Sequence, residues 1–132
     1  MSRRRVALGL LCALLGCGKG SDAERRSAAD VARAEESVRG ADNAHKAQLL
    51  SLFASPCVGQ EPCDVQRRCR AAYAQHVDAL HLTAAAQQRL SDGHGEEAAK
   101  LLGSAEQKLQ SAGAEIGDCT ARAGELRRHY HL

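Results

Sequence analysis

Apolar residues recur at alternating four- and three-residue steps through the last third of the chain: Ala98, Leu102, Ala105, Leu109, Ala112, Ile116, Cys119, Ala123, Leu126 and Tyr130. A 3.5-residue period marks a helix that packs along a partner helix, and alanine at 98, 105 and 112 allows that partner to approach closely. A looser version runs through Val65, Cys69, Ala72, His76, Ala79, Thr83, Ala86 and Leu90. Between the two lies Asp92-Gly93-His94-Gly95, a turn signal. The pattern predicts helices over about 64–91 and 96–128, the first capped by Asp64 and the second carrying Glu96 and Glu97 in its first turn, where the helix dipole favours negative charge.

A third stripe, Val31, Ala34, Val38, Ala41, His45, Gln48 and Leu52, predicts one helix over about 22–54. Gly40 interrupts it, which implies a kink or fraying, and Ser55-Pro56 ends it because proline disfavours helical geometry in the residue before it. Nothing reads as a strand. The expected fold class is all-α.

Folding the second and third helices back antiparallel about His94 brings together positions whose numbers sum to 188. Cys69 then meets Cys119, and large faces small at Ala72 and Ile116, at Ala79 and Leu109, and at Ala86 and Leu102. That register predicts a Cys69–Cys119 disulfide clamping a helical hairpin and leaves Cys57 with Cys63 as a small loop closure. Tyr73, Val77, Leu80 and Ala84 offer the first helix a face to dock on through Val38, Leu49, Leu52 and Phe53, which makes a three-helix bundle; the alternative is an extended hairpin with the first helix as a stalk.

The start of the chain has a different character. Arg3, Arg4 and Arg5 precede an apolar stretch from Val6 to Leu15, followed by Gly16 and Cys17. Ten apolar residues are too few to span a bilayer, which takes roughly 20. Leu14-Leu15-Gly16-Cys17 resembles the signal of bacterial lipoproteins. The resemblance covers residues 1–17 alone and implies cleavage before Cys17, acylation of that cysteine, and a place in the bacterial cell envelope. Gly18 is not the aspartate that resembles an inner-membrane retention signal, so the outer membrane is favoured. The implied organisation is a signal peptide over 1–16, a lipidated cysteine and tether over 17–23, and one small helical domain over 24–132.

Composition sharpens this picture. The chain has 132 residues with 18 basic and 16 acidic side chains. Removing residues 1–16 takes away three arginines, so the balance moves from +2 to −1. The basic character resides in the export signal, and a nucleic-acid partner loses its electrostatic footing. Phe53, Tyr73 and Tyr130 are the only aromatics. An alanine-rich core buries little surface per residue, so covalent cross-links matter, and four cysteines in an oxidising compartment read as two disulfides.

Candidate chemistry is sparse. Cys57, Cys63 and Cys69 stand farther apart than zinc ligands usually do. His129 and His131 flank Tyr130 as weak candidates for a divalent ion, but they also suit a helix C-terminus. His45 and His76 occupy seam positions, where they could form a pH-sensitive pair. No nucleophile elbow, P-loop or dinucleotide fingerprint is present, and Glu35-Glu36 diverge on a helix. No cofactor is expected, and an enzyme is the least favoured class. The expected function is a lipid-anchored, non-enzymatic interaction or structural module that contacts an envelope protein or the cell wall. The alternative is a small ligand-binding, metal-binding or enzyme-inhibitor lipoprotein.

Overall fold

The computed structural model describes residues 20–132, and within them the chain is a helical bundle without strands. Its α-helices are α1 (Asp22–Gly40), α2 (Asn43–Leu49), α3 (Gln60–Ser91) and α4 (Gly95–Tyr130), with a short 3-10 helix over Leu50–Ala54 after α2. No helix of the described residues is long and apolar enough to cross a membrane.

The expected single helix over 22–54 is three pieces. Ala41 takes an extended backbone and Asp42 begins a new helix, its side chain accepting a hydrogen bond from the His45 amide at 3.1 Å. An aspartate N-cap competes well with helix continuation, and Gly40 lowers the cost of breaking just before it. The break resets the helical phase. Val31, Ala34 and Val38 are buried as the stripe predicts, whereas His45, Gln48 and Leu52 are exposed, and burial resumes at Phe53.

α3 also differs from expectation at its start. It opens at Gln60 after Gly59, whose φ of +95° closes the preceding turn, and Asp64 lies inside the helix, holding Arg67 and Arg68 at 3.1 and 2.8 Å. The Asp64 carboxyl is accordingly held below the usual carboxylate range, first by its hydrogen bond to Arg68. α4 begins at Gly95 with Glu96 and Glu97 in its first turn, as the dipole argument requires, and runs to Tyr130.

α3 and α4 lie along one another. Cys69 is bonded to Cys119, Gln75 donates to the Glu115 carboxylate at 3.0 and 3.1 Å, and Lys108 and Arg89 reach Asp78 and Glu97 at 3.6 and 3.5 Å. What this register buries is narrower than the apolar pattern. Ala79, Ala86, Ala98, Ala105 and Ala112 are buried, while Leu102 and Leu109 remain 48% and 39% exposed. Alanine every seventh residue draws the two helices close together, and the leucines beside that seam are left at its flank. Among the described residues no third helix covers them there. α1 ends at Gly40, and α2 contacts α3 at the level of His76, where Asn43 Oδ1 is 3.4 Å from the ring. The stretch of α3 from there to Ser91 is roughly 20 Å long at 1.5 Å per residue.

The larger side chains collect at the other end. Ala28, Val31, Ala34 and Val38 of α1 meet Val65 and Tyr73 of α3, Leu126 and Tyr130 of α4, Phe53, and the Cys69–Cys119 bridge. Phe53 stacks on Tyr73 with ring centroids 6.0 Å apart. Of the α3 face expected to receive the first helix, Tyr73 and Val77 are buried, Leu80 is half-buried and Ala84 is exposed.

Candidate functional site

Two places concentrate polar groups against the core: a carboxylate inside the helix packing, and the end where the chain enters α1. The first is Glu35, fully buried on the stripe it shares with Val31 and Val38. One of its oxygens, Oε1, accepts from the Thr120 hydroxyl of α4 at 2.8 Å and from the Tyr73 hydroxyl of α3 at 3.4 Å, and lies 3.0 Å from Arg39 Nε. The other oxygen is buried with no hydrogen-bond partner among the described residues. Burial, reinforced by the Glu35 charge and hydrogen bond, pushes the Tyr73 hydroxyl up to about 12.

A tyrosine whose folded pKa exceeds its unfolded value of about 10 contributes stability that is complete below pH 10 and is lost as pH climbs toward 12. Ultraviolet titration should therefore show a tyrosinate absorption step delayed to about pH 12, with the fold weakening across that window. A Tyr73 step at the ordinary tyrosine value would contradict the buried contact with Glu35.

Glu35 has the surroundings of a positioning group and not of a reacting one. Its partners are two hydroxyls and a guanidinium on three different helices, and its side chain is fully buried. Adjacent glutamates diverge on a helix, so Glu35-Glu36 does not read as a paired-carboxylate site and nothing in that pairing marks Glu35. The available signal was its spacing, four residues after Val31 and three before Val38.

At the second place, Gly20 takes φ +64°, and a Cβ there would lie 2.8 Å from the Tyr130 ring of α4. Ser21 caps α1 by accepting from the Glu24 amide at 3.2 Å. Arg25 donates to the His131 carbonyl at 3.2 Å, and His129 Nδ1 lies 2.7 Å from Glu61 of α3. The first turn of α1, the first turn of α3 and the last turn of α4 therefore share one end. Tyr130 is buried there, and burial, followed by the charge of Glu61, raises its pKa.

Cys17 lies outside the described residues. Cys57 is bonded to Cys63 and Cys69 to Cys119. His129 faces Glu61, and among the described residues no group of three His, Cys, Asp or Glu side chains converges as a metal site. His45 is exposed and hydrogen-bonded to Asp42 at 2.8 Å, while His76 lies beside Asn43, and among the described residues no hydrogen bond joins the two histidines. Burial, with the nearby Lys46 charge, lowers the His76 pKa.

The open depression between α3 and α4 is lined by Arg68, Ala71, Ala114, Glu115, Asp118 and Arg122. Its charges are already engaged: Arg68 with Asp64, Arg122 with Asp118 and Glu115 with Gln75. No family model, no curated protein and no solved structure matches the chain.

Proposed function

We propose that this chain is a lipid-anchored protein of the bacterial cell envelope whose helical domain serves as a non-enzymatic interaction module. The observation that carries the reading is the sequence Leu14-Leu15-Gly16-Cys17, with Cys17 only three residues ahead of Gly20, against which the last turn of α4 is packed. Three residues reach at most about 10 Å, so an acyl chain on Cys17 would hold the domain against the bilayer. The several chains of a lipoprotein anchor bind firmly, where a single chain binds marginally.

In this reading α3 and α4 form an antiparallel hairpin, clamped at Cys69–Cys119, that α1 completes as a three-helix bundle. The two disulfides suit an oxidising compartment outside the cytoplasm. The absence of an aspartate at position 18 favours the outer membrane. Cys17→Ser should abolish labelling by a fatty-acid tracer and move the protein out of the detergent-soluble membrane fraction. Intact-protein mass spectrometry checks the same point, since the wild-type chain should begin at a modified Cys17. Unchanged membrane fractionation of the variant would sink the anchor. Crosslinking in intact cells, followed by identification of the captured protein, tests the interaction role.

A further inference from the structure

The two disulfides differ in more than the length of chain they close. Cys69 and Cys119 are fully buried in the core where α1 packs on α3 and α4, whereas Cys57 and Cys63 are half-buried at the start of α3. Cys57 stands between the exposed residues Pro56 and Val58. Cys63 lies in the first turn of α3, between the buried Pro62 and the half-buried Asp64. A thiolate approaching from solvent therefore reaches Cys57 first.

The segment that carries the short bridge is held in place without it. The Ser55 carbonyl accepts from Gln66 Nε2 of α3 at 3.0 Å, and the Val58 amide donates to Ser27 Oγ of α1 at 2.9 Å. The Cys63 amide donates to the Gly59 carbonyl at 3.2 Å. Gly59, at φ +95°, passes so close to α1 that a Cβ there would lie 2.7 Å from Glu24 Cγ. Contacts on both sides of the bridge thus keep the two cysteines together whether or not they are bonded. The bridge itself joins positions only six apart, so it adds little constraint to what these contacts already supply.

We propose that Cys57–Cys63 is a thiol-exchange site, at which an external dithiol reduces the protein while the bundle stays folded and Cys69–Cys119 stays closed. The site stands apart from the anchor proposed above and does not rest on it. One thiolate of the dithiol attacks Cys57 Sγ, the Cys57–Cys63 bond breaks, and Cys63 leaves as a thiolate that takes a proton from water. The second thiol of the reagent, once deprotonated, attacks the reagent sulfur of the mixed disulfide and expels the Cys57 thiolate. The reagent departs as a disulfide and the protein holds two thiols, so the electron pair has passed from reagent to protein.

Position favours Cys63 as the leaving group. A sulfur in the first turn of a helix lies at the positive end of the dipole, which stabilises a thiolate, and a stabler thiolate leaves faster. Carboxylates at this turn oppose that effect, but two of them are already engaged: Glu61 lies 2.7 Å from His129 Nδ1, and Asp64 is held by Arg67 and Arg68. Glu24, against Gly59, is a further one. Closure is favoured as well, because the pinned segment gives the two thiols a high effective concentration for each other.

Titration of the folded chain with dithiothreitol, with thiols trapped by a maleimide and located by peptide mass spectrometry, tests the site. Labels should appear at Cys57 and Cys63 at a rate proportional to dithiothreitol. That rate should exceed labelling at Cys69 or Cys119 at least about a hundredfold, since the buried bridge opens only through unfolding. Helical circular dichroism should be unchanged after this first step, and the Val58 amide should stay protected from hydrogen exchange. Brief exposure to glutathione, a monothiol, should leave the mixed disulfide on Cys57. Ser27→Ala removes the Val58 acceptor and should slow re-closure by glutathione disulfide about fivefold. Labelling of all four cysteines together, loss of helix with the first pair, a freely exchanging Val58 amide or an unaltered re-closure rate in Ser27→Ala overturns the site. Glutathione found on Cys63 overturns the direction of attack.

Discussion

Replacing both Cys69 and Cys119 with alanine should lower the stability of the domain by about 4 kcal/mol and its melting temperature by on the order of 15 °C. The bridge joins positions 50 residues apart, so its removal frees a large loop in the unfolded chain. Cys57–Cys63 closes a separation of six and should contribute only about 2 kcal/mol when removed the same way. Alanine is a suitable replacement at 69 and 119 because the neighbouring seam positions, Ala72 and Ala112, are already alanines packed to full burial. The two bridges should also differ in access. Cys69 and Cys119 are fully buried, whereas Cys57 and Cys63 are only half-buried, so a dithiol reductant should open the short loop first. Thermal melts of the two double variants, with timed thiol trapping, provide the check. If C57A/C63A proves the more damaging pair, the seam is not held by its covalent clamp.

Glu35→Ala should cost about 3 kcal/mol, close to what breaking a buried polar network costs. The loss does not come mainly from Arg39, which is half-exposed and can return to water. It comes from the Tyr73 and Thr120 hydroxyls, which lose their shared acceptor, and from the space left on a face that packs against both α3 and α4. Glu35→Gln keeps an acceptor oxygen in place and should cost only about 1 kcal/mol. The adjacent Glu36→Ala is the natural control, because Glu36 is exposed. Urea unfolding of the three variants should give midpoints in the order Glu36→Ala, Glu35→Gln, Glu35→Ala, from most to least stable. A Glu35→Ala midpoint equal to that of Glu36→Ala would falsify the assignment of Glu35 as the group that seats α1.

The sequence carried the helical periods well where a single helix runs without interruption. α3 and α4 lie within a few residues of their expected bounds, and Cys69 is bonded to Cys119. Legibility failed where a local signal competed with the period. The stripe through Ala41, His45, Gln48 and Leu52 reads as a continuation of α1 only if Gly40 is a kink. Asp42 is an N-cap, and once it restarts the helix every later position points in a new direction. Leu102 and Leu109 show the converse. Their spacing is correct for a seam, but spacing does not say whether a third helix is long enough to cover them. That depends on where α1 stops.

The sequence by itself determined the helical class, the turn at Asp92-Gly93-His94, the alanine seam and the cysteines available to cross-link it. These follow from local propensity and from a repeat that only one periodic structure can satisfy. It also contains the Leu14-Leu15-Gly16-Cys17 signature on which the anchoring proposal stands, since such a signal is read from linear order. The tertiary structure alone decided that Glu35 is buried while Glu36 is not. It also decided that Gly20 meets Tyr130, and that Arg25, Arg26, Arg33 and Arg127 surround Leu132. Those neighbours come from helices far apart in the chain. Their meeting is set by how α1 docks on α3 and α4, a choice made by packing volume and buried hydrogen bonds that no local pattern encodes.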